Sequence, residues 1–513
     1  MFTQKNLFDA LKTYGVTVCL SIFFGVLLFV TRFYNYQHTL YFIYDQGRDV
    51  LKLSQIVRGD FTLIGPTSGL AGFFLGPLWY YIGVPGYIVS NGNPYGISLW
   101  YIVLATLTIP LYWLMVRKLL PFWWAVLATT LFIITPGSIK GSTFVWNPLI
   151  SLPLMAGTMY ALVRARTSNW YLGLGFFLLA LTLQSEFAYG IFFIPPLVVL
   201  IPWIKQRFHI KDFLVAVCAG AVTLLPQLIF EIRNTFLLTK SLVAGVTAKE
   251  GTFSLIDVWK IRPYQLYEVT AQMLYGGTNH RGFFTFGAIL LMVIASLVAF
   301  GSQKRTNQDT YAAKLLVVLT FIPYIGYLFW RGNYGQFFDY YLTSHIVFLV
   351  PLVVLGSYYL IELTKTKKAL FTLALLSVIP LTAMGKAGWE YTRDIVIWPN
   401  NQAGLYKMEQ AIDQLYSWQA QTADQSASFL VYTPSWQTEH YDYLIAWKAG
   451  HYNLGVPSSQ RTHQEKEWFL MMEEEKTLYE KRFEPWYRNA TAGGQLKERR
   501  TVGVLTLEWW QAQ

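Results

Sequence analysis

The sequence predicts a polytopic α-helical membrane protein, with about eleven transmembrane helices, a large first external loop and a small C-terminal α/β domain. Three observations carry this expectation. Of the 513 residues 54% are hydrophobic and 13% charged, roughly half the charged fraction of an ordinary soluble chain, and the mean hydropathy is +0.34. Many apolar runs approach the ~20 residues a helix needs to cross a bilayer core. The Lys and Arg residues gather in short connections between those runs, which is a topology signal. The net charge of +11 is therefore a matter of topology, and no nucleic-acid partner is expected.

The apolar runs fall at 12–31, 97–116, 121–136, 149–163, 169–184, 187–204, 213–231, 283–300, 314–330, 343–362 and 369–386. The first is too long for a signal-peptide core and no small-residue cleavage site follows it, so it reads as a retained span. Basic residues mark alternate connections: Lys5 and Lys12; Arg117 and Lys118; Arg164 and Arg166; Lys205, Arg207 and Lys211; Lys304, Arg305 and Lys314; Lys365, Lys367 and Lys368. With these on one side, the positive-inside rule puts the N-terminus in the cytoplasm. An odd number of spans then puts the C-terminus outside a multi-pass plasma-membrane protein. Residues 73–90 are apolar, yet counting them as a span would move Arg117 and Lys118 outside. Pro77, Pro85 and several glycines also make that stretch a poor spanning helix, and it is assigned to the first external loop, 32–96, as a re-entrant or interfacial segment.

Residues 1–386 thus form a transmembrane module and 387–513 an extracytoplasmic α/β domain. The tail shows helical patterns at 402–418 and 437–449, and β-like runs at 428–433, 467–472 and 500–508. Residues 137–148 and 232–282 read as external connections. Cys19 and Cys218 lie inside apolar runs and say nothing about redox compartment.

The chemistry concentrates in Tyr44-Asp45-Gln46-Gly47-Arg48-Asp49, just past the first span. If this stretch is helical, Asp45, Arg48, Asp49 and Lys52 share one face, and Val50, Leu53 and Val57 form an opposite, membrane-facing stripe. The same spacing also suits a surface helix with self-paired charges. Further polar groups on the outer side are Lys140, Asn147, Gln184, Glu186, Arg233, Arg281, Arg331 and Asp339. Mixed carboxylates and cations suit a phosphate-linked substrate and a nucleophile that needs a general base. Glu186 is the lone charge in 169–204, where a carboxylate is costly and usually functional or paired; a role in acceptor or sugar binding is expected. Arg331 reads as a phosphate ligand or a snorkelling interfacial arginine. Tyr340 and Tyr341 suit stacking on a sugar, or an aromatic belt. No zinc spacing or Gly-rich phosphate loop is present.

The Tyr-Asp-x-x-Arg-Asp element at 44–49, followed by Gly76-Pro77-Leu78-Trp79-Tyr80-Tyr81, resembles the C-type, polyprenyl-phosphate-dependent glycosyltransferases. The branch it is similar to is the bacterial one related to protein O-mannosyltransferases and lipid A aminoarabinose transferases. The resemblance implies a polyprenyl-phosphate-linked sugar donor, an active site at the outer membrane face, and Asp45 as catalytic base. Arg48, Asp49, Lys52, Asn147, Glu186, Arg331, Tyr340 and Tyr341 are the expected substrate-binding set. The expected activity is an inverting hexosyl or pentosyl transfer to a hydroxyl of a lipid, glycan or protein acceptor, among membrane lipids. Three positions depart from the pattern. Gln46 replaces the Glu of the mannosyltransferase Asp-Glu pair, Leu75 stands where relatives often carry His, and Asn147-Pro148 stands where aminoarabinose transferases carry Asp-Pro. The last change weakens a metal site there; no cofactor is called for, and a divalent metal stays open. A transporter or lipid flippase with an extracytoplasmic cap domain is the alternative. It would place charges near the midplane between two related halves, whereas here they gather towards one end.

Overall fold

The computed structural model describes residues 4–205, 209–247, 254–277, 281–301, 307–331, 337–364, 371–422, 427–435, 437–452, 454–461, 465–473 and 480–513. Of the basic residues used for the topology, Arg207, Lys304, Arg305, Lys365, Lys367 and Lys368 lie outside these described residues.

The chain is largely helical. Five helices are long and apolar enough to cross a membrane: Gly15–Phe33, Pro94–Val116, Gly282–Gly301, Thr310–Phe329 and Asp339–Thr364. Two further pairs qualify if each counts as one broken span, Phe122–Ile134 with Pro136–Thr143 (bent 55°) and Ile210–Thr223 with Leu225–Arg233 (bent 61°). Prolines explain both breaks. Pro136 and Pro226 open the second helix of each pair, where the missing N–H is harmless and the fixed φ suits a new start. This is a multi-pass membrane protein. The other predicted runs are helical but short, such as Ser151–Arg164 and Asn169–Ser185. Ile346–Leu355 is buried on every side, so this helix occupies the centre of the bundle.

Two segments differ from the expectation, and a third, 73–90, is too short to span, as expected. Residues 137–148 are not a simple connection, because Pro136–Thr143 is helical. Within 232–282, Leu255–Tyr275 forms a 21-residue helix. Its charges (Asp257, Lys260, Arg262, Glu268) hide it from a hydropathy reading, but Ser254 and Asp257 cap its start and left-handed Gly276 ends it. Within 73–90, a helix covers Leu78–Val89, 12 residues and well short of the ~20 needed to span.

All the described strands lie in the tail, in one four-stranded sheet of order β1-β2-β4-β3. They are β1 (Ser428–Tyr432), β2 (Glu467–Glu473), β3 (Gly494–Val502) and β4 (Leu505–Ala512). β1 and β2 pair in parallel and the remaining pairs are antiparallel. The predicted run 500–508 is therefore the tip of a hairpin, turning at Gly503 with φ +62°, a conformation that favours glycine. Helices Leu405–Gln419 and Glu439–Tyr452 cover one sheet face; Glu480–Thr491, not anticipated, covers the other.

The tail and the first loop share one hydrophobic core. Leu40, Phe42, Val50, Leu53 and Trp79 cluster with Leu405, Tyr441, Leu444, Phe469 and Trp509. Leu405 N–H also donates to the Leu40 carbonyl at 3.0 Å. Val50 and Leu53 are thus inside the protein, at 4% and 0% exposure, while Val57 at the end of the stripe is exposed; the membrane-facing reading is corrected for the first two. An apolar stripe needs burial, and here the Glu439–Tyr452 helix supplies it instead of lipid.

Candidate functional site

Helix Tyr44–Val57 begins abruptly after extended Ile43. Gln46 closes its first turn: Oε1 accepts from the Ile43 N–H at 2.9 Å, and Nε2 donates to the Val145 carbonyl at 2.7 Å. An amide does both tasks, which a carboxylate cannot. Asp45 lies in the first turn, where helix N–H groups favour an anion.

Arg48 sits between two carboxylates. Nη1 pairs with Asp45 at 2.8 Å, and Nη2 with Asp49 Oδ1 at 2.7 Å. Nε donates to the same Asp49 oxygen at 2.9 Å, and Nη1 reaches Thr67 Oγ1 at 3.2 Å. The other Asp49 oxygen accepts from Trp79 Nε1 at 2.7 Å, and the Tyr80 hydroxyl lies against the same pair. The second motif therefore holds the first in place. Burial raises the Asp45 carboxyl above its ordinary value, and Arg48 partly offsets this. Burial also pushes Asp49 up to about 6, again against the pull of Arg48. For Arg48 burial acts to lower the pKa, but Asp49 and Asp45 outweigh it and hold the guanidinium charged. With its donors committed to two carboxylates and a hydroxyl, Arg48 is a holder of Asp45 before it is a ligand for phosphate.

Asp45 and Arg48 line a cavity of about 290 Å³. The first loop supplies Thr67–Leu70, Phe73 and Leu75, and other walls come from Trp146, Asn147, Glu186, Trp330, Tyr340 and Tyr341. Distant segments are stitched together behind it. Asn147 Nδ2 donates to the Ser185 carbonyl at 2.5 Å. Gly76 N–H donates to the Gln184 carbonyl, and Leu78 N–H to Gln184 Oε1, both at 3.2 Å. Glu186 occupies the break between two apolar runs and is 5% exposed. Burial pushes it up to about 8, with the Ala188 N–H opposing, and among the described residues no cation pairs with it. Burial thus favours its neutral form.

A larger cavity, about 740 Å³, adjoins the first. Trp146 and Tyr340 line both, with ring centroids 4.5 Å apart, so this aromatic pair divides them. Helix Pro136–Thr143, residues 269–277 and Tyr391 make most of the larger cavity. Lys140 and Asp339 pair across it at 3.1 Å, both more than a third exposed.

Of the predicted residues, Asp45, Arg48, Asn147, Glu186, Tyr340 and Tyr341 come together. Asp49 is buried directly behind Arg48 and does not line the cavity. Lys52 lies away from it, near Asp60 at 3.6 Å and Gln55 at 3.0 Å. Arg331 is exposed and outside the cavity wall, whereas its neighbour Trp330 forms part of that wall. Sequence reasoning passes over Trp146 and Trp330; adjacency to Asn147 and Arg331 is the available signal. Among the described residues no three His, Cys, Asp or Glu side chains come together. Asp45 and Asp49 both face the Arg48 guanidinium, which takes the place between them. These donors do not fit a divalent ion, and no step runs through one.

No protein-family profile matches the chain, and no curated protein matches it either. Solved structures do. ArnT from Cupriavidus metallidurans bound to undecaprenyl phosphate superposes with a TM-score of 0.59 at 11% identity, over 96% of this chain and 98% of that one. The same protein in the apo state gives 0.58, also at 11% identity, over 97% and 98%. The Archaeoglobus fulgidus oligosaccharyltransferase in the apo form gives 0.50 at 12% identity, over 88% of this chain and 65% of that one. The chain has the fold of these solved structures.

Proposed function

We propose that this protein is a membrane glycosyltransferase that moves a sugar from a polyprenyl-phosphate carrier to an acceptor hydroxyl. The observation that carries the reading is Asp45: a carboxylate with a raised pKa, held by Arg48, in a cavity that adjoins a second one across an aromatic pair. The shared fold with a protein solved bound to undecaprenyl phosphate supports a lipid-phosphate donor.

The two cavities suit an in-line displacement. The donor lies in the larger one, its chain along the apolar wall and its phosphate near Lys140. The exposed Lys140–Asp339 pair contributes little by itself, so exchanging Asp339 for a phosphate costs little. The sugar lies against the exposed edge of the Trp146–Tyr340 pair, where the two cavities meet. The acceptor hydroxyl sits beside Asp45 in the smaller cavity. Its oxygen attacks the anomeric carbon while the bond to the phosphate oxygen breaks, and the electron pair leaves with the phosphate. Asp45 takes the hydroxyl proton. Attack opposite the leaving group inverts the anomeric centre. Gln46 in place of a second carboxylate favours a lipid or glycan acceptor over a protein, and the transferred group is a hexose or pentose.

The site belongs at the extracytoplasmic face, with the N-terminus cytoplasmic, eleven spans, and residues 387–513 outside. Purified protein incubated with a panel of polyprenyl-phosphate sugars and lipid or glycan acceptors should release lipid phosphate with at least one donor. Movement of a labelled lipid across vesicles without release would replace this reading with a flippase. For the topology, Gly450→Cys should label with an impermeant thiol reagent in intact cells; labelling only after lysis would reverse the orientation.

A further inference from the structure

Helix Tyr44–Val57 carries a glycine in its second turn. On propensity alone alanine would be the better residue there. The structure gives the reason for glycine. A Cβ at Gly47 would lie 2.3 Å from both the backbone N and the Cα of His440, and 2.7 Å from the Glu439 carbonyl carbon. Backbone atoms cannot swing aside as a flexible side chain can. His440 lies in the first turn of helix Glu439–Tyr452, so one helix of the tail presses directly on the Asp45 helix. Gly47 immediately precedes Arg48 and lies two residues after Asp45, so the contact falls on the turn that carries both.

The contact is also fastened around its edges. Tyr443, on the same tail helix, donates to the Gly92 carbonyl. Tyr95 donates to Glu409 Oε2 at 2.7 Å. Val50 and Leu53 of the Asp45 helix are buried in the same core as Tyr441 and Leu444.

We propose that the C-terminal sheet unit is a positioning element for the reaction: the His440 backbone, seated on Gly47, sets the depth and rotation at which Asp45 and Arg48 enter the cavity. This rests on the reading of Asp45 as the base. Relieving the overlap that a Cβ creates needs a movement on the order of 1 Å, and misplacement of that size costs on the order of 100-fold in rate.

The test uses full-length protein in detergent or nanodiscs, with lipid-phosphate release as the assay. Gly47→Ala should lower turnover by about 100-fold, leave the donor KM within about twofold, and shift the acid limb of the pH–rate profile as the Asp45–Arg48 pairing changes. Tyr443→Phe leaves the Asp45 helix untouched and loosens the docking; it should lower turnover about tenfold at unchanged donor KM, a smaller displacement than the Cβ imposes. Wild-type turnover and an unmoved acid limb in Gly47→Ala would overturn the proposal, because helix propensity alone predicts that result. If Gly47→Ala misfolds, Tyr443→Phe decides, and wild-type turnover there overturns it. If the unaltered protein releases no lipid phosphate from any donor, the glycosyltransferase reading falls first and this proposal with it.

Discussion

Trp79 Nε1 donates a 2.7 Å hydrogen bond to the oxygen of Asp49 that Arg48 leaves open. It joins the two motifs, some thirty residues apart in the chain, at one buried carboxylate. Trp79 is 1% exposed and stacks on Tyr101 at 3.9 Å between centroids.

Trp79→Phe keeps an aromatic ring for that stack but removes the donor. A buried carboxylate oxygen left without its partner costs roughly 1–3 kcal/mol, which thermal unfolding in detergent will read. The lost hydrogen bond also favoured the ionised form, so the Asp49 pKa rises above its present value of about 6. The acid limb of the turnover profile should therefore move to higher pH. An unchanged limb would mean that Asp49 does not govern Arg48.

The carboxylates should separate by role. General-base catalysis contributes on the order of 100- to 10,000-fold, so Asp45→Asn should cost at least the lower figure in turnover with donor affinity retained. Asp49→Asn should cost less, because Arg48 keeps Asp45 as a partner. In the unaltered protein the rate should fall as pH drops, since Asp45 must be ionised to accept a proton and burial has raised its pKa. Asp49, at about 6, adds a second protonation in the same direction. Near-normal turnover in Asp45→Asn with a dead Asp49→Asn would reverse the two assignments.

Much of this is readable in the chain, and the failures have physical causes. Spacing of three residues brings Asp45 and Arg48 together because a helical turn does so by geometry. Lys52 shares that face, but it lies about 10 Å further along the helix axis, beyond the cavity. The partner of Asp49 is hidden because Trp79 meets it only through tertiary packing. Hydropathy cannot tell lipid from protein interior, so it turns Val50 and Leu53 the wrong way. It also misses helix Leu255–Tyr275, whose charged positions break the apolar run. The split of 500–508 into a hairpin depends on one residue, Gly503, whose neighbours favour strand on both sides.

Lys140 should govern the donor if its phosphate enters the larger cavity. Lys140→Met removes the charge while keeping most of the apolar stem. The expected outcome is a rise in donor KM of about tenfold or more, the order of a lost charge-assisted hydrogen bond, with a smaller change in turnover at saturating donor. Asp339→Asn should move the donor KM the other way, because the carboxylate competes with phosphate for the same ammonium. An unchanged donor KM in both variants would move the phosphate out of the larger cavity.

Burial pushes Glu186 up to about 8. A carboxyl with that pKa is mostly protonated at pH 7 and is able to donate a hydrogen bond into the cavity it lines. The neutral amide of Glu186→Gln is nearly isosteric with that form and also donates. Turnover near pH 7 should therefore stay within a few-fold of the unaltered protein, as expected for exchange of one neutral donor for another. The two proteins should diverge at higher pH. The unaltered enzyme ionises Glu186 as pH rises through about 8, losing the donor and placing an unpaired anion in the buried wall, so its rate should fall there. The amide of the Glu186→Gln variant does not ionise in that range, and the alkaline fall should be absent. Glu186→Leu, which keeps bulk without a donor, should be impaired across the whole range. Should Glu186→Gln lose about 100-fold at pH 7, on the scale of a lost acid–base group, the ionised carboxylate would be the working form, and a cation from the substrate would have to stabilise it.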